Sequence, residues 1–203
     1  MENYKIEDKI SNFEDLDLSG TYTYADYLKW EFDERLELIR GKIFRMSPAP
    51  SANHQRISAI IHIEIGYFLK KKSCRAFAAP FDVRFPRRSQ DDREIMTVLQ
   101  PDICVICDPS KIDERGGIGA PDIVIEILSP GNNKKELKNK YEVYEEAGVL
   151  EYWIFHPAEK TFLRNTLQES RKFQLSDFLT LGDEVTTPVL PGFRLSLDEV
   201  FED

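Results

Sequence analysis

Two apolar runs carry acids where acids are costly. Pro101-Asp102-Ile103-Cys104-Val105-Ile106 opens on an aspartate, and Pro121-Asp122-Ile123-Val124-Ile125-Glu126-Ile127-Leu128 holds a glutamate near its end. Both runs are β-formers too apolar for a surface strand, so each predicts a buried strand. A carboxylate inside such a strand needs a hydrogen-bond partner, a counter-charge or a metal. On neighbouring strands, Asp102 and Glu126 would converge at one edge of a sheet. With the backbone carbonyl of Ile127 they form a hard-oxygen donor set suited to Mg²⁺, which uses one or two carboxylates plus waters and a phosphate oxygen. Such an ion supplies an activated water and neutralises charge on phosphate, the two needs of phosphodiester hydrolysis. A lysine on the helix that follows would assist the water or the transition state.

The elements that position these acids are readable from periodicity. Thr23 with Asp26 resembles a capping box and starts a short helix through Tyr24, Tyr27 and Leu28. Arg35 to Met46 alternates about Arg40-Gly41 and predicts a hairpin with Glu37 on its first strand. Ile57, Ile60, Ile61, Ile65, Phe68 and Leu69 recur at helical spacing across His54 to Lys72. An extended run from Arg75 to Phe85, a polar loop over 86–94, the Asp102 strand, a loop with Gly116, Gly117 and Gly119, and the Glu126 strand follow. Ser129-Pro130-Gly131-Asn132 breaks that strand, and Asn132 or Asn133 would cap a helix ending at Ala147 with Gly148 as its C-cap. Glu151 to His156 is another short strand, strand and turn continue to Phe173, and the tail beyond reads as less regular. The order predicts an α/β or α+β fold, a mixed sheet flanked by helices. Residues 1–20 are expected as an arm and 21–203 as a single domain.

The composition sets limits. The chain has 203 residues, 41% hydrophobic and 31% charged, which is ordinary for a globular protein. No segment approaches the roughly 18 apolar residues of a membrane span, and the polar start at Met1 has no signal-peptide h-region. A cytoplasmic location is therefore expected. Three cysteines, an odd number, suit a reducing compartment better than a disulfide framework. Cys104-x-x-Cys107 gives little support to zinc, because no second ligand pair stands at short spacing and a strand turns the two to opposite faces. A formal net charge of −9 argues against gripping nucleic acid with the whole surface, so any DNA contact is expected to be local.

A set of ordered motifs adds to this reading. Glu37-Leu38-Ile39-x-Gly41-Lys42, Ser47-Pro48-Ala49-Pro50 with His54-Gln55, Gln100-Pro101-Asp102, Ala120-Pro121-Asp122 through Pro130, Lys140-Tyr141-x-x-Tyr144 and Gly148-Val149-x-Glu151-Tyr152-Trp153 together resemble the Uma-two-type restriction endonuclease family of the PD-(D/E)XK superfamily. The resemblance covers about Thr21 to Pro157 and implies a restriction-endonuclease-like sheet with a magnesium-dependent nuclease site, Mn²⁺ being a substitute. It assigns Asp102 and Glu126 as metal ligands and Lys140, on the next helix, as the displaced catalytic lysine, since Leu128 stands where many of these nucleases have lysine. Glu37 matches the family's early acid, and His54 and Gln100 are candidate supports. DNA is the implied substrate, and cutting both strands suits a two-fold homodimer.

Structural alternatives exist for each residue. Asp102 alone would serve to start a strand, Glu126 to form a structural ion pair, and Lys140 to pair with Glu136 on a solvated helix face. Glu37 has three basic neighbours on its hairpin, and His54 would cap or pack at a helix start. Tyr141, Tyr144, Tyr152 and Trp153 read as core, Asp122 as structural, and Lys134, Lys135 and Lys138 as a solvated face. Two other function classes stay open: an inactive nuclease-fold module that binds or assembles, and a metal-dependent hydrolase of another phosphate substrate.

Overall fold

The computed structural model describes residues 9–46, 50–129 and 134–202, and for 134–136 the backbone alone. In chain order the first elements are helix α1 (Tyr24–Tyr27), strands β1 (Leu36–Ile39) and β2 (Lys42–Arg45), and helix α2 (Ala52–Leu69). Strands β3 (Arg75–Ala78), β4 (Val83–Arg84), β5 (Val98–Leu99), β6 (Ile103–Ile106), β7 (Ile112–Asp113), β8 (Gly116–Ile118) and β9 (Ile123–Ile127) follow. Helix α3 (Lys134–Ala147) leads to β10 (Glu151–His156), β11 (Thr161–Leu167), β12 (Phe173–Thr180), β13 (Glu184–Val185), β14 (Leu195–Ser196) and helix α4 (Leu197–Phe201). The expected break at Pro130-Gly131-Asn132, the Asn132 or Asn133 cap, and Ser47-Pro48-Ala49 lie outside the described residues. Two compact units form, Met1–Met46 with Arg84–Leu99 and Ser47–Val83 with Gln100–Asp203.

In the first unit the expected hairpin is present. Arg40 and Gly41 both have positive φ, 52° and 77°, as a two-residue turn between right-twisted strands requires. A side chain at Gly41 would collide with Thr21 and Met96, so position 41 needs glycine on two counts. The strand β1 is buried throughout and also pairs with β5 through Leu38 and Val98. Thr23 and Asp26 form the expected capping box of α1, with Thr23 N donating to Asp26 Oδ2 at 2.9 Å. Ahead of it, Ile10 bridges to Trp30 and Leu16 is buried.

The second unit is built on a six-stranded sheet in the order β12-β11-β10-β9-β6-β3. All its pairings are antiparallel except β9 with β10, whose crossover contains α3. Strand alternation divides β9: Ile123, Ile125 and Ile127 enter the main core, where Ile57, Ile61, Ile65 and Leu69 of α2 meet them. Those four recur every fourth residue, so the helix offers one apolar stripe, and tertiary burial offsets the low propensity of its isoleucines. Val124 and Glu126 point the other way, towards α3, whose Tyr144 ring packs on Tyr152 at 5.1 Å. Gly148, at φ 91°, ends α3 as expected, with its N–H returning to Tyr144 O.

Three expectations are corrected. The glycine loop is a hairpin, β7 with β8: Gly116 sits at φ 121° so close to Asp82 that a Cβ would lie 2.2 Å from its carbonyl oxygen. The tail is not irregular, since β13, β14 and α4 bring Val185, Phe193, Leu195, Leu197, Val200 and Phe201 into the α2 core. Cys74 and Cys107 form a disulfide, one step beyond the Arg75–Ile106 pair of β3 and β6. Cys104 lies buried on the opposite face, its thiol pushed up to about 12 by burial, so the two cysteines of Cys104-x-x-Cys107 share no site.

Candidate active site

Strand register brings the two acids together. Ile103 of β6 stands opposite Ile125 of β9, and one further step along both strands sets Asp102 opposite Glu126. Glu126 faces α3, whereas Asp102, one residue ahead of β6, turns its carboxylate to the Ile127 N–H and to His54 of α2. Glu126 is 7% exposed. Its Oε1 accepts from Lys140 Nζ at 3.0 Å and from Tyr144 O–H at 2.7 Å, and the ammonium also reaches Oε2 at 3.3 Å. Lys140 and Tyr144 are one helical turn apart, so a single face of α3 delivers both donors. The buried charge is thus compensated twice. Lys140 is 4% exposed, which corrects the alternative of a solvent-facing helix pair; the Glu136 side chain lies outside the described residues.

Asp102 is held from two directions. Its Oδ2 accepts the Ile127 backbone N–H at 2.7 Å and faces His54 Nε2 at 3.3 Å. His54 sits in the first turn of α2, whose N-cap Ser51 accepts from the His54 backbone N–H at 3.2 Å. The Asp102 carboxylate raises the His54 pKa above its ordinary value, against the opposing effect of burial. His54 Nδ1 is buried and has no hydrogen-bond partner among the described residues.

The remaining candidates fall elsewhere. Glu37 is 2% exposed on β1 of the first unit, opposite Phe44, so it is buried and not on the hairpin surface. Gln100 donates its amide to Asp82 Oδ1 at 2.8 Å, which fixes the turn before the Asp102 strand. Asp122 is structural as expected and accepts the Cys107 N–H at 2.7 Å. Tyr152 and Trp153 are fully buried core. Tyr144 is core too, yet its hydroxyl belongs to the site, which sequence reading missed although its Lys140 spacing was visible. Lys138 is solvated and faces Glu142 at 3.8 Å, whereas the Lys134 and Lys135 side chains lie outside the described residues.

The family model described as "Putative restriction endonuclease", Uma2, matches residues 24–198. The chain belongs to the Uma2 family. A crystal structure of a DUF820 protein from Anabaena variabilis, titled a "putative nuclease", superposes with a TM-score of 0.68 at 25% identity, covering 89% of this chain and 97% of that one. No relative is found among the curated proteins. The fold is therefore the mixed sheet with flanking helices expected from the order of elements, with the restriction-endonuclease-like architecture that the family resemblance implied. No helix among the described residues is long and apolar enough to cross a membrane. Nor is there, among the described residues, a group of three or more His, Cys, Asp or Glu that could hold a metal ion. The donor chemistry fits a hard cation that keeps several waters, since Asp102 and Glu126 are carboxylates and Mg²⁺ is ordinarily held by one or two of them.

Proposed function

We propose that this Uma2 chain is a Mg²⁺-dependent endonuclease that hydrolyses DNA phosphodiester bonds. The observation that carries the reading is Asp102 opposite Glu126 with the Lys140 ammonium 3.0 Å from the glutamate. Asp102, Glu126 and the Ile127 carbonyl would hold the ion, with Mn²⁺ as a substitute. When bound, it supplies an activated water and charge neutralisation on phosphate. Lys140 keeps an ammonium beside the reacting phosphate while anchoring Glu126. Tyr144 fixes the Glu126 carboxylate, and the Ile127 N–H and His54 fix Asp102, so neither acid has to reorganise when substrate arrives. Glu37 is assigned to the metal shell by family likeness alone. A homodimer would supply one site per strand of a duplex.

A second reading, an inactive nuclease-fold binding module, is favoured by one feature: Leu128 occupies the place where many such nucleases carry lysine. Calorimetry with Mg²⁺ and Mn²⁺ together with a cleavage assay separates the two. Asp102→Ala and Glu126→Ala are expected to lose metal binding and cleavage, and Lys138→Ala, exposed on the same helix, to keep both. Absence of metal binding by the unaltered protein at millimolar concentration would leave only the module.

A further inference from the structure

The six-stranded sheet ends on β12, its longest strand, whose outer edge is covered at both ends but open in the middle. At one end the Phe173 N–H donates to Glu145 Oε2 at 2.7 Å, and at the other the Thr180 N–H donates to Asp183 Oδ2 at 2.9 Å. Register fixes what lies between. Leu167 sends its N–H to Leu150 O, away from β12, so its partner Phe173 turns its own backbone groups away from β11. Leu175, two residues on, does the same, and Phe178, two residues before Thr180, shares the outward orientation of that residue. Both therefore present an N–H and a C=O along the open edge.

The same two positions carry exposed apolar side chains, Leu175 at 53% and Phe178 at 66%. They share a face although three residues apart. Leu175 opposes Asn165 and Phe178 opposes Leu163, and the bulge at Ser176 and Asp177 absorbs the odd residue. Asp177 is the one charge of the strand, and Arg164 pairs with it. An edge with open ladder groups and apolar side chains is a template for another strand. This one is complementary to itself. A two-fold axis between Ser176 and Asp177 sets Leu175 opposite the partner's Phe178, and Phe178 opposite the partner's Leu175. Both are hydrogen-bonding pairs with their side chains on one face. Two chains of net charge −9 repel each other, and here they meet with each Asp177 neutralised by its own Arg164. We infer that the protein forms a two-fold dimer by antiparallel pairing of β12 with β12 of a second copy, which joins the two six-stranded sheets into one.

The axis stands across the sheet, so both α3 faces look to the same side. Seven strand spacings of about 4.8 Å then separate the two Glu126 residues, roughly 34 Å, close to one turn of B-form duplex. The interface gives the homodimer of the nuclease reading its geometry without depending on that reading.

Sedimentation equilibrium of the full chain over a concentration series, with neither metal nor DNA, tests the pairing. The unaltered protein is expected to dimerise. Phe178→Lys, a charge at an exposed edge position, should weaken dimerisation at least about a hundredfold while the far-UV spectrum stays unchanged. Leu175→Cys with Phe178→Cys in one chain should give a covalent dimer under mild oxidation, because the pairing sets each new cysteine opposite one of the partner's within disulfide reach. A monomer throughout the series would overturn the pairing and leave the edge to an extended segment of another protein. A dimer that Phe178→Lys leaves intact, or a cysteine variant that does not cross-link, would overturn it as well. Metal-dependent cleavage by a monomer would remove this dimer and keep the nuclease, whereas a dimer that loses its pairing in Phe178→Lys and never cleaves would uphold the interface and remove the nuclease.

Discussion

Glu126 receives an ammonium from Lys140 and a hydroxyl from Tyr144 while nearly sealed from solvent, so its stability cost and its proposed chemistry share the same partners. Removing one member of such a pair leaves the other buried without that counter-charge. Lys140→Met is expected to destabilise by about 3–5 kcal/mol, and Tyr144→Phe, which deletes one donor to a charged acceptor, by about 2 kcal/mol. Lys140→Met with Glu126→Gln should cost well below the sum of the two single changes. Urea denaturation of the four proteins measures this, and simple additivity would mean that the two groups do not depend on each other. The acids were legible in sequence because a charge inside an apolar strand has few innocent explanations. Lys140 was not legible from spacing, since its nearest sequence partner, Glu136, offers a helix pair; family likeness alone singled it out.

At the scale of elements, α3 carries both donors and must be held against the sheet. Glu145, near its end, accepts from Lys172 Nζ and from the Phe173 N–H of β12, each at 2.7 Å. Burial pushes the Glu145 pKa up, but those two donors outweigh it and the net shift is below the ordinary 4.5. A carboxyl with a folded pKa under its unfolded one contributes stability above the unfolded value and loses it as pH falls through the folded value. The unaltered protein should therefore lose stability as pH drops below about 4.5, and Glu145→Gln should show a shallower loss over that window in thermal melts. The hairpin of β1 and β2 and both long helices could be read from the chain because local signals set them: Arg40-Gly41, the isoleucine stripe and Gly148. The β7–β8 hairpin and the β13–β14 ribbon could not, since distant partners define them, Asp82 in one case and the α2 core in the other. Cys74 and Cys107 paired for the same reason: strand register set them side by side, which cysteine count does not reveal. Thiol titration should find no reactive cysteine in the native protein, one after unfolding without reductant, and three after reduction; a second thiol before reduction would refute the bridge.

For the whole molecule, a net charge of −9 opposes the approach of another polyanion, so attraction to DNA must come from few groups near the site. Each phosphate neutralised adds about 0.9 to the slope of log K against log salt on duplex and about 0.7 on a single strand. A surface grip through six or more phosphates would give a slope of roughly −4 or steeper on single strands. Contact confined to the Asp102–Glu126 site predicts roughly −2, from about three phosphates. Fluorescence titrations of a labelled single strand between about 50 and 200 mM salt measure the slope. A slope near roughly −2 is expected, whereas one of roughly −4 or steeper would mean that the grip is spread over the surface and not confined to the site.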